Sequence, residues 1–171
     1  MPKDVILTPA GLAKLKAELL HLQGDKRREV AARIKEAREF GDISENSEYD
    51  DAKNEQAMVE ARIAQIEDQV RSASVIDSKD LSNDQVRVGC NVHVKDEKTG
   101  KSVKYTIVGA PEANPAESRL SNESPVGKAL LGHKRNETVE VAVPRGPKRK
   151  LKITKIEITE TRPRGRRAGA A

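Results

Sequence analysis

Apolar residues in the first half of the chain recur at intervals of three, four and seven residues, with one group before and one group after residues 40–51. Such a repeat places apolar side chains along one stripe of a helix, and two such stripes can pack together. We therefore predict two antiparallel helices joined at residues 40–51. The stripe residues are Leu12, Leu15, Leu19, Leu22, Val30, Ile34 and Ala37 in the first helix and Ala52, Val59, Ile63, Ile66, Val70 and Ala73 in the second.

The first predicted helix begins at Thr8-Pro9 and is disturbed once along its length. A threonine side chain can accept a hydrogen bond from a free amide of the first turn, and proline at the first helical position loses no hydrogen bond. Between Leu19 and Val30 the stripe is interrupted around Gly24 and resumes after eleven residues. An eleven-residue spacing relaxes the left-handed supercoil locally, so we expect the helix to continue through this point.

A polar segment, residues 78–85, separates the helical pattern from a second pattern in which apolar and polar residues alternate. Alternation is typical of strands with one buried face. We predict four antiparallel strands, a hairpin turn at residues 96–100, and a bulge near Lys155 where the alternation changes phase. Ser124-Pro125 repeats the helix-start pattern and opens one short helix. The inward strand residues are Cys90, Val92, Val94, Val103, Tyr105, Ile107, Val139, Val141, Val143, Leu151, Ile153, Ile156 and Ile158.

Together these elements predict an α+β protein with two structured parts. Residues 1–77 form the helical hairpin, a coiled coil with an acidic tip at residues 41–51, and residues 78–85 are a linker. Residues 86–160 form a small domain with an antiparallel sheet and one helix, and residues 161–171 are a basic tail too polar to bury a core. A coiled coil that only dimerises is the structural alternative, and it leaves the acidic tip unexplained.

Composition limits the class of protein further. Aromatic residues make up only 2% of the chain, which favours two small bodies over one large core. Cys90 is the single cysteine, which excludes an internal disulfide and a cysteine-based metal cluster, and the three histidines are scattered. No apolar run is long enough for a signal peptide or a membrane helix. We expect a protein of the reducing cytoplasm with no membrane partner.

Charge is unevenly distributed along the chain. Residues 1–144 carry 22 bases and 25 acids, whereas residues 145–171 carry ten bases and two acids. A basic terminal segment is usually a solvated tail, and it can also bind nucleic acid or an acidic protein surface loosely. Nucleic-acid contact by the basic tail is therefore a possible partner interaction.

The turn between the two helices is strongly acidic. Residues 40–51, FGDISENSEYDD, contain five carboxylates and no lysine or arginine, although bases outnumber acids in the whole chain by 32 to 27. Asp42 and Glu45 lie three residues apart, which is the spacing of a helix capping box. They could also complete a magnesium site whose other ligands belong to a partner, because magnesium takes few protein oxygens and keeps several waters. The spacing leaves both interpretations open.

The sequence contains no complete active site of its own. It has no nucleophile and base pair, no glycine loop for phosphates and no full set of metal ligands. Any catalysis at the acidic turn would therefore have to borrow the rest of its site from a partner, and we do not expect the chain alone to be an enzyme.

Three segments resemble the bacterial Gre family of transcript elongation and cleavage factors, and the GreA-type members more than the GreB-type members. They are LTPAGLAKLKAEL near the start, EAREFGDISENSEYDDAKNEQ around the turn and SNESPVGKALLGHKRNETVEV in the second part. The family patterns GD-[LI]-x-EN-[AS]-EY and SP-x-GxAL-[LI]-G are both intact. The resemblance covers roughly residues 5–158.

This resemblance implies a mechanism that depends on RNA polymerase. The coiled coil would enter the secondary channel of the polymerase, and the second domain, FKBP-like in fold, would dock at the channel rim through Ser124, Pro125 and Val126. Asp42 and Glu45 would be the catalytic carboxylates: they would hold a magnesium ion jointly with the polymerase and orient a water that hydrolyses the 3′ end of backtracked nascent RNA. The chain would bring no cofactor of its own.

The resemblance also assigns roles around the tip. Asn46, Glu48 and Tyr49 would be auxiliary tip residues, and the basic residues Arg38 and Lys53 would contact the displaced RNA.

Two segments depart from the family pattern, and two other functions remain as alternatives. The turn PRGPKRK is unusually basic, and the tail RPRGRRAGAA extends beyond the usual end. One alternative is a factor of the same fold that occupies the channel and inhibits the polymerase without stimulating cleavage, although such relatives typically alter the acidic tip. The other is a nucleic-acid-binding or structural coiled-coil protein, for which the tip carboxylates would be dispensable.

Overall fold

The computed structural model of the chain describes residues 4–41, 46–77 and 81–158. Contacts divide it into two compact units. The helical unit is Ala13–Ser72, and the sheet unit comprises the residues on either side of it.

The helical unit is built from helices that run in opposite directions. Helix α1 spans Pro9–His21, a π-helical segment spans Leu22–Lys26, and α2 spans Arg27–Glu39. Helix α3 spans Ser47–Arg71. Among the described residues, none of the helices is both long enough and apolar enough to cross a membrane.

Ion pairs between the helices show that they run antiparallel. Arg27 donates two hydrogen bonds, of 2.7 and 2.8 Å, to the carboxylate of Glu60. Further from the tip, Arg62 donates two bonds, of 2.7 and 3.0 Å, to Glu18. Because the earlier residue of one helix pairs with the later residue of the other, the predicted antiparallel hairpin is confirmed.

The predicted apolar stripe lies between these helices, but the prediction is wrong for its last residue. Val30, Ile34, Ala52, Val59 and Ile63 form one buried cluster, against which Leu19, Leu22 and Tyr49 pack. Ala73 was predicted to continue the second helix, but α3 ends at Arg71 and Ala73 begins a strand.

The interruption predicted around Gly24 is a change of helical winding. The segment Leu22–Lys26 adopts the wider π-helix, and helical backbone continues through it from α1 into α2. A π-helical segment absorbs extra residues within a helix. It allows the apolar stripe to resume at Val30, as the eleven-residue spacing predicts.

The sheet unit contains a five-stranded sheet. Its strands are β3 Cys90–Asp96, β4 Ser102–Val108, β5 Arg119–Ser121, β6 Thr138–Val141 and β7 Arg149–Ile158, in the order β5-β4-β3-β7-β6. Three of its four pairings are antiparallel, whereas β4 and β5 pair in parallel. The predicted α+β class is confirmed, and the sheet is antiparallel except at the β4 and β5 edge, which the sequence did not predict.

Two further strands were also missed. Strand β1, Val5–Leu7, pairs in parallel with β2, Ala73–Val75. They form a separate small sheet within the sheet unit. The segments on both sides of the helical hairpin are therefore hydrogen-bonded to each other.

One face of the five-stranded sheet packs into the hydrophobic core of the sheet unit. Helix α4, Pro125–Leu130, places the fully buried Leu130 in this core. Most predicted inward residues are buried there, but two predictions are wrong. Val103 is 40% exposed near the beginning of β4, and Val143 is 36% exposed beyond the end of β6.

The predicted bulge is present in β7. His93 pairs with Lys155, but the next residue, Val94, pairs with Ile153, so one residue of β7 is extra. That residue is Thr154, whose Oγ1 donates a 3.1 Å hydrogen bond to the carbonyl oxygen of His93. The bulge keeps Ile153 and Ile156 buried on the same face.

The predicted helix start at Thr8-Pro9 is confirmed and has an additional partner. The Oγ1 atom of Thr8 accepts a 3.1 Å hydrogen bond from the amide of Gly11. The amide of Thr8 donates a 3.0 Å bond to the buried carboxylate of Glu112. Glu112 therefore attaches the first turn of α1 to the rest of the sheet unit.

Candidate functional site at the acidic turn

The predicted catalytic pair lies between the two long helices. Asp42 and Glu45 fall outside the described residues, so their role stays a prediction. The described chain ends at Gly41 on one side of them and resumes at Asn46 on the other. The geometry of the site is that of these two helix ends.

Helix α2 ends with a change of backbone direction and an exposed aromatic ring. The amide of Phe40 donates a 3.4 Å hydrogen bond to the carbonyl oxygen of Ala37. Gly41 follows with a φ of 112°, a conformation that favours glycine. The side chain of Phe40 is 80% exposed, which leaves a large apolar surface beside the acidic segment.

Asn46 begins helix α3 and contacts both helices. Its Oδ1 accepts a 3.3 Å hydrogen bond from the amide of Tyr49, which is the bond expected of an N-cap residue. Its Nδ2 donates a 2.7 Å bond to the carbonyl oxygen of Ala37, in the last turn of α2. The helix-capping interpretation of Asp42 is therefore wrong for α3, because Asn46 is its cap.

Tyr49 joins the tip to the apolar core of the hairpin. Its ring packs on the buried cluster of the helical unit. The guanidinium carbon of Arg38 lies 5.8 Å from the centre of the same ring, within the range of a cation–π contact. Arg38 and Tyr49 thus hold one side of α2 against the first turn of α3.

The described carboxylates of the tip are solvent-exposed. Glu48 and Asp50 lie in the first turn of α3, where the helix dipole favours negative charge, and Asp51 follows them. Lys53 is exposed on the next turn and donates a 3.1 Å hydrogen bond to Gln56. These exposed positions are accessible to another molecule, and the RNA contacts of Arg38 and Lys53 stay a prediction.

The donor set of the tip fits an incomplete magnesium site. Within residues 4–41, 46–77 and 81–158, no three His, Cys, Asp or Glu side chains gather as a possible metal site. Asp42 and Glu45 would supply carboxylate oxygens, the ligand type that magnesium prefers. Two residues do not complete a coordination shell, so they fit an ion whose other ligands come from another molecule.

The three predicted docking residues have different environments in the sheet unit. Ser124 caps α4, because its Oγ accepts a 3.1 Å hydrogen bond from Gly127. Pro125 is exposed, whereas Val126 is partly buried and packs against the core. Of these three residues only Pro125 is exposed, and their docking role stays a prediction.

Sequence reasoning missed two features of the site. The two-sided contact of Asn46 was not foreseen, although an asparagine directly before a helical pattern is a recognised N-cap signal. The exposure of Phe40 was also missed, because one aromatic residue outside the apolar stripe gives no periodic signal.

Comparison with known proteins identifies the class of the chain. Residues 5–75 match a family model described as "Transcription elongation factor, N-terminal". Residues 81–158 match a second model described as "Transcription elongation factor, GreA/GreB, C-term". These two matches together cover most of the chain, and they assign it to the class of transcription elongation factors.

Full-length relatives support the same assignment. Proteins named Transcription elongation factor GreA are 56% identical in Caldanaerobacter subterraneus subsp. tengcongensis and 54% identical in Thermoanaerobacter pseudethanolicus, each over 95% of this chain and 99% of the relative. A crystal structure of GreA factor homolog 1 (Gfh1) of Thermus thermophilus is 30% identical, with a TM-score of 0.42 over 91% of this chain and 99% of that one. On the sequence matches, the chain belongs to the GreA/GreB family of transcription elongation factors, and the predicted family is confirmed.

Proposed function

We propose that this elongation factor stimulates the hydrolysis of backtracked RNA by RNA polymerase. The observation that carries the proposal is the run of five carboxylates without a base at residues 40–51, a segment that follows α2 and includes the start of the antiparallel helix α3. A narrow acidic turn of this kind can enter the polymerase's secondary channel and reach its active centre. The chain is then an accessory factor, and the polymerase is the enzyme.

In this mechanism Asp42 and Glu45 act together with ligands from the polymerase. A magnesium ion held there would supply two effects, a lower pKa of a bound water and stabilisation of charge in phosphoryl transfer. The two carboxylates raise the affinity of the site for the ion and orient the attacking water towards the 3′ end of the RNA. Glu48 adds negative charge next to them, and Asn46 and Tyr49 support the turn.

Arg38 and Lys53 are proposed to contact the backtracked RNA. Both side chains are exposed in the turns next to the acidic segment, so they border it with positive charge. Cations at this position can neutralise phosphates of an RNA strand that passes the tip. They also limit the repulsion between the acidic turn and the nucleic acid.

The sheet unit is proposed to dock at the rim of the channel through the N-terminal end of α4. Pro125 presents an exposed apolar surface there, and the capping bonds of Ser124 hold it in place. If the sheet unit docks at the rim, it supplies part of the binding energy for polymerase. The helical hairpin then does not have to supply all of that energy.

The direct test uses stalled, backtracked elongation complexes with magnesium. We expect short 3′ RNA fragments and restored elongation when the factor is added, and no cleavage of free RNA by the factor alone. Cleavage by the isolated protein would contradict the proposal. Slower elongation without cleavage would instead support a channel-binding inhibitor.

A further inference from the structure

The face of the five-stranded sheet opposite its core carries a group of lysines. Residues directly opposite each other in neighbouring strands share a face, and so do alternate residues of one strand. In this sheet Lys95 of β3 is opposite Lys152 of β7, and His93 of β3 is opposite both Lys104 of β4 and Lys155 of β7. We call this surface the lysine face, and its lysines are Lys95, Lys104, Lys150, Lys152 and Lys155, all of them exposed.

The charges on the lysine face are poorly compensated. Lys155 pairs with Glu157, which also contacts His93. In the part of the chain that the structure describes, no ion pair involves any of the other four lysines. The nearby Glu140, opposite Lys150, pairs with Lys148 instead. The face therefore retains a strong positive charge.

This arrangement does not help the sheet to fold. Like charges directly opposite each other destabilise an antiparallel pair, and Lys95 and Lys152 occupy such positions. A departure from good local pairing is expected where a surface serves binding. The lysines lie on three adjacent strands of a regular sheet, so the backbone holds them at fixed intervals of about 5 Å between strands and about 7 Å along them.

The chemistry of the lysine face distinguishes between two kinds of acidic partner. Interfaces between proteins are depleted in lysine and enriched in aromatic residues, methionine and arginine. Interfaces with nucleic acid are polar and strongly positive, and hydroxyl and amide side chains join lysine in contacting phosphates. The uncharged polar neighbours of the lysines are Asn91, Ser102, Thr106 and Thr138, and the acids in the described registers of this face are Glu140 and Glu157. The described registers place one ring on the face, the imidazole of His93, which contacts Glu157, and they place no Phe, Tyr or Trp there.

We propose that the lysine face binds the phosphate backbone of duplex nucleic acid without sequence preference. Lysine supplies point charges for phosphates, and the described face has no Phe, Tyr or Trp ring on which the bases of a single strand could stack. Its one imidazole, that of His93, is partly buried and contacts Glu157. This binding uses the sheet unit alone and does not depend on the cleavage function proposed above. It gives the factor a second attachment to a transcription complex, through the duplex.

The test measures binding of the full chain to a fluorescent duplex of about 20 base pairs, without polymerase, across a range of salt concentrations. The face variant carries Lys95→Gln, Lys104→Gln, Lys150→Gln and Lys152→Gln. The matched control removes the same number of charges from the tail, through Arg162→Gln, Arg164→Gln, Arg166→Gln and Arg167→Gln. A third protein carries arginine in place of the four face lysines.

We expect the face variant to lose affinity at least about tenfold, with the slope of log K against log salt shallower by about three to four. The tail variant should stay within about threefold of the unchanged chain, and the arginine variant should bind normally. The four lysines are exposed and Lys95 and Lys152 repel each other, so the glutamine variant should fold, and its circular dichroism spectrum checks this. Loss of binding by the arginine variant would also contradict the proposal. The proposal would be overturned if the tail variant lost as much affinity for the duplex as the face variant, or more. It would also be overturned if polyglutamate displaced the fluorescent duplex as well as an unlabelled duplex of equal charge does.

Discussion

The side-chain nitrogen of Asn46 lies 2.7 Å from the carbonyl oxygen of Ala37, so the N-cap residue of α3 also donates a hydrogen bond to the last turn of α2. The side-chain oxygen of the same residue accepts a hydrogen bond from the amide of Tyr49. Both ends of the acidic turn are thus tied to a single amide group. A side-chain amide carries its donor and its acceptor on separate atoms, whereas an ionised aspartate only accepts and a serine has one oxygen for both roles.

Replacing Asn46 separates these two contacts. Aspartate is about as good an N-cap as asparagine, so Asn46→Asp should lose only the bond to Ala37, about 1 kcal/mol of unfolding free energy. Asn46→Ala should lose both contacts, about 2 kcal/mol. Urea unfolding followed by the helical circular dichroism signal measures the difference. Equal stability of the aspartate variant and the unchanged chain would show that the Nδ2 bond contributes nothing.

Most of the fold could be predicted because its signals are periodic. The apolar stripe located both long helices, and the change of phase near Lys155 located the bulge in β7. The missed strands β1, β2 and β5 are each three residues long, too short to show alternation. Strands β1 and β2 are also distant from each other in sequence, and no local pattern identifies the parallel pairing of β5 with β4.

The sequence alone could predict which residue types make up the candidate site. It could not predict the contacts that those residues make. An acidic run without a base is visible in the sequence, and so is the Ser124-Pro125 helix start. Spacing alone could not decide between capping and catalytic roles for Asp42, because both need a carboxylate near a helix start. The position of Asn46 decides against capping of α3, and only the folded backbone gives that position.

The pH dependence of stability should contain a contribution from Glu157. Hydrogen bonds from Lys155 and then from His93 lower the pKa of Glu157 to about 2, from an ordinary value of 4.5. A depressed pKa stabilises the folded state above the unfolded value, and this stability is lost as pH falls through the folded value. Thermal unfolding between about pH 5 and about pH 2 should therefore separate Glu157→Gln from the unchanged chain.

The expected pattern is a melting temperature that is lower for Glu157→Gln at pH 5, with the difference closing towards pH 2. The carboxylate is partly exposed, so added salt should reduce the difference. Glu97→Gln is a control, because this exposed residue of the same unit has neither of those two partners. A difference that stays constant across the pH range would contradict this account of Glu157.

The docking proposal can be tested without damage to the core. Pro125 is exposed at the first position of α4, where aspartate is acceptable, so Pro125→Asp should change the unfolding free energy by no more than about 0.5 kcal/mol. It should nevertheless weaken binding to polymerase. Val126→Asp should destabilise the sheet unit by about 1 to 3 kcal/mol, because its side chain packs against the core.

The control for docking is Ala113→Asp, which adds the same charge at another exposed position of the sheet unit. We expect this variant to bind polymerase normally. If Pro125→Asp binds as tightly as Ala113→Asp, docking must use a different surface.

The catalytic proposal depends on the charge of two residues, and amide replacements remove that charge with little change in size. Asp42→Asn and Glu45→Gln should each reduce stimulated RNA cleavage by about a hundredfold or more, which corresponds to about 2.7 kcal/mol of transition-state stabilisation. Polymerase binding and thermal stability should change little, so each variant should compete with the unchanged factor. Asp50→Asn and Asp51→Asn are matched controls, because these exposed carboxylates lie within α3 and should be dispensable. If Asp42→Asn and Glu45→Gln both stimulate cleavage as well as these controls do, the acidic turn does not supply catalytic carboxylates and its function is only to fit the channel.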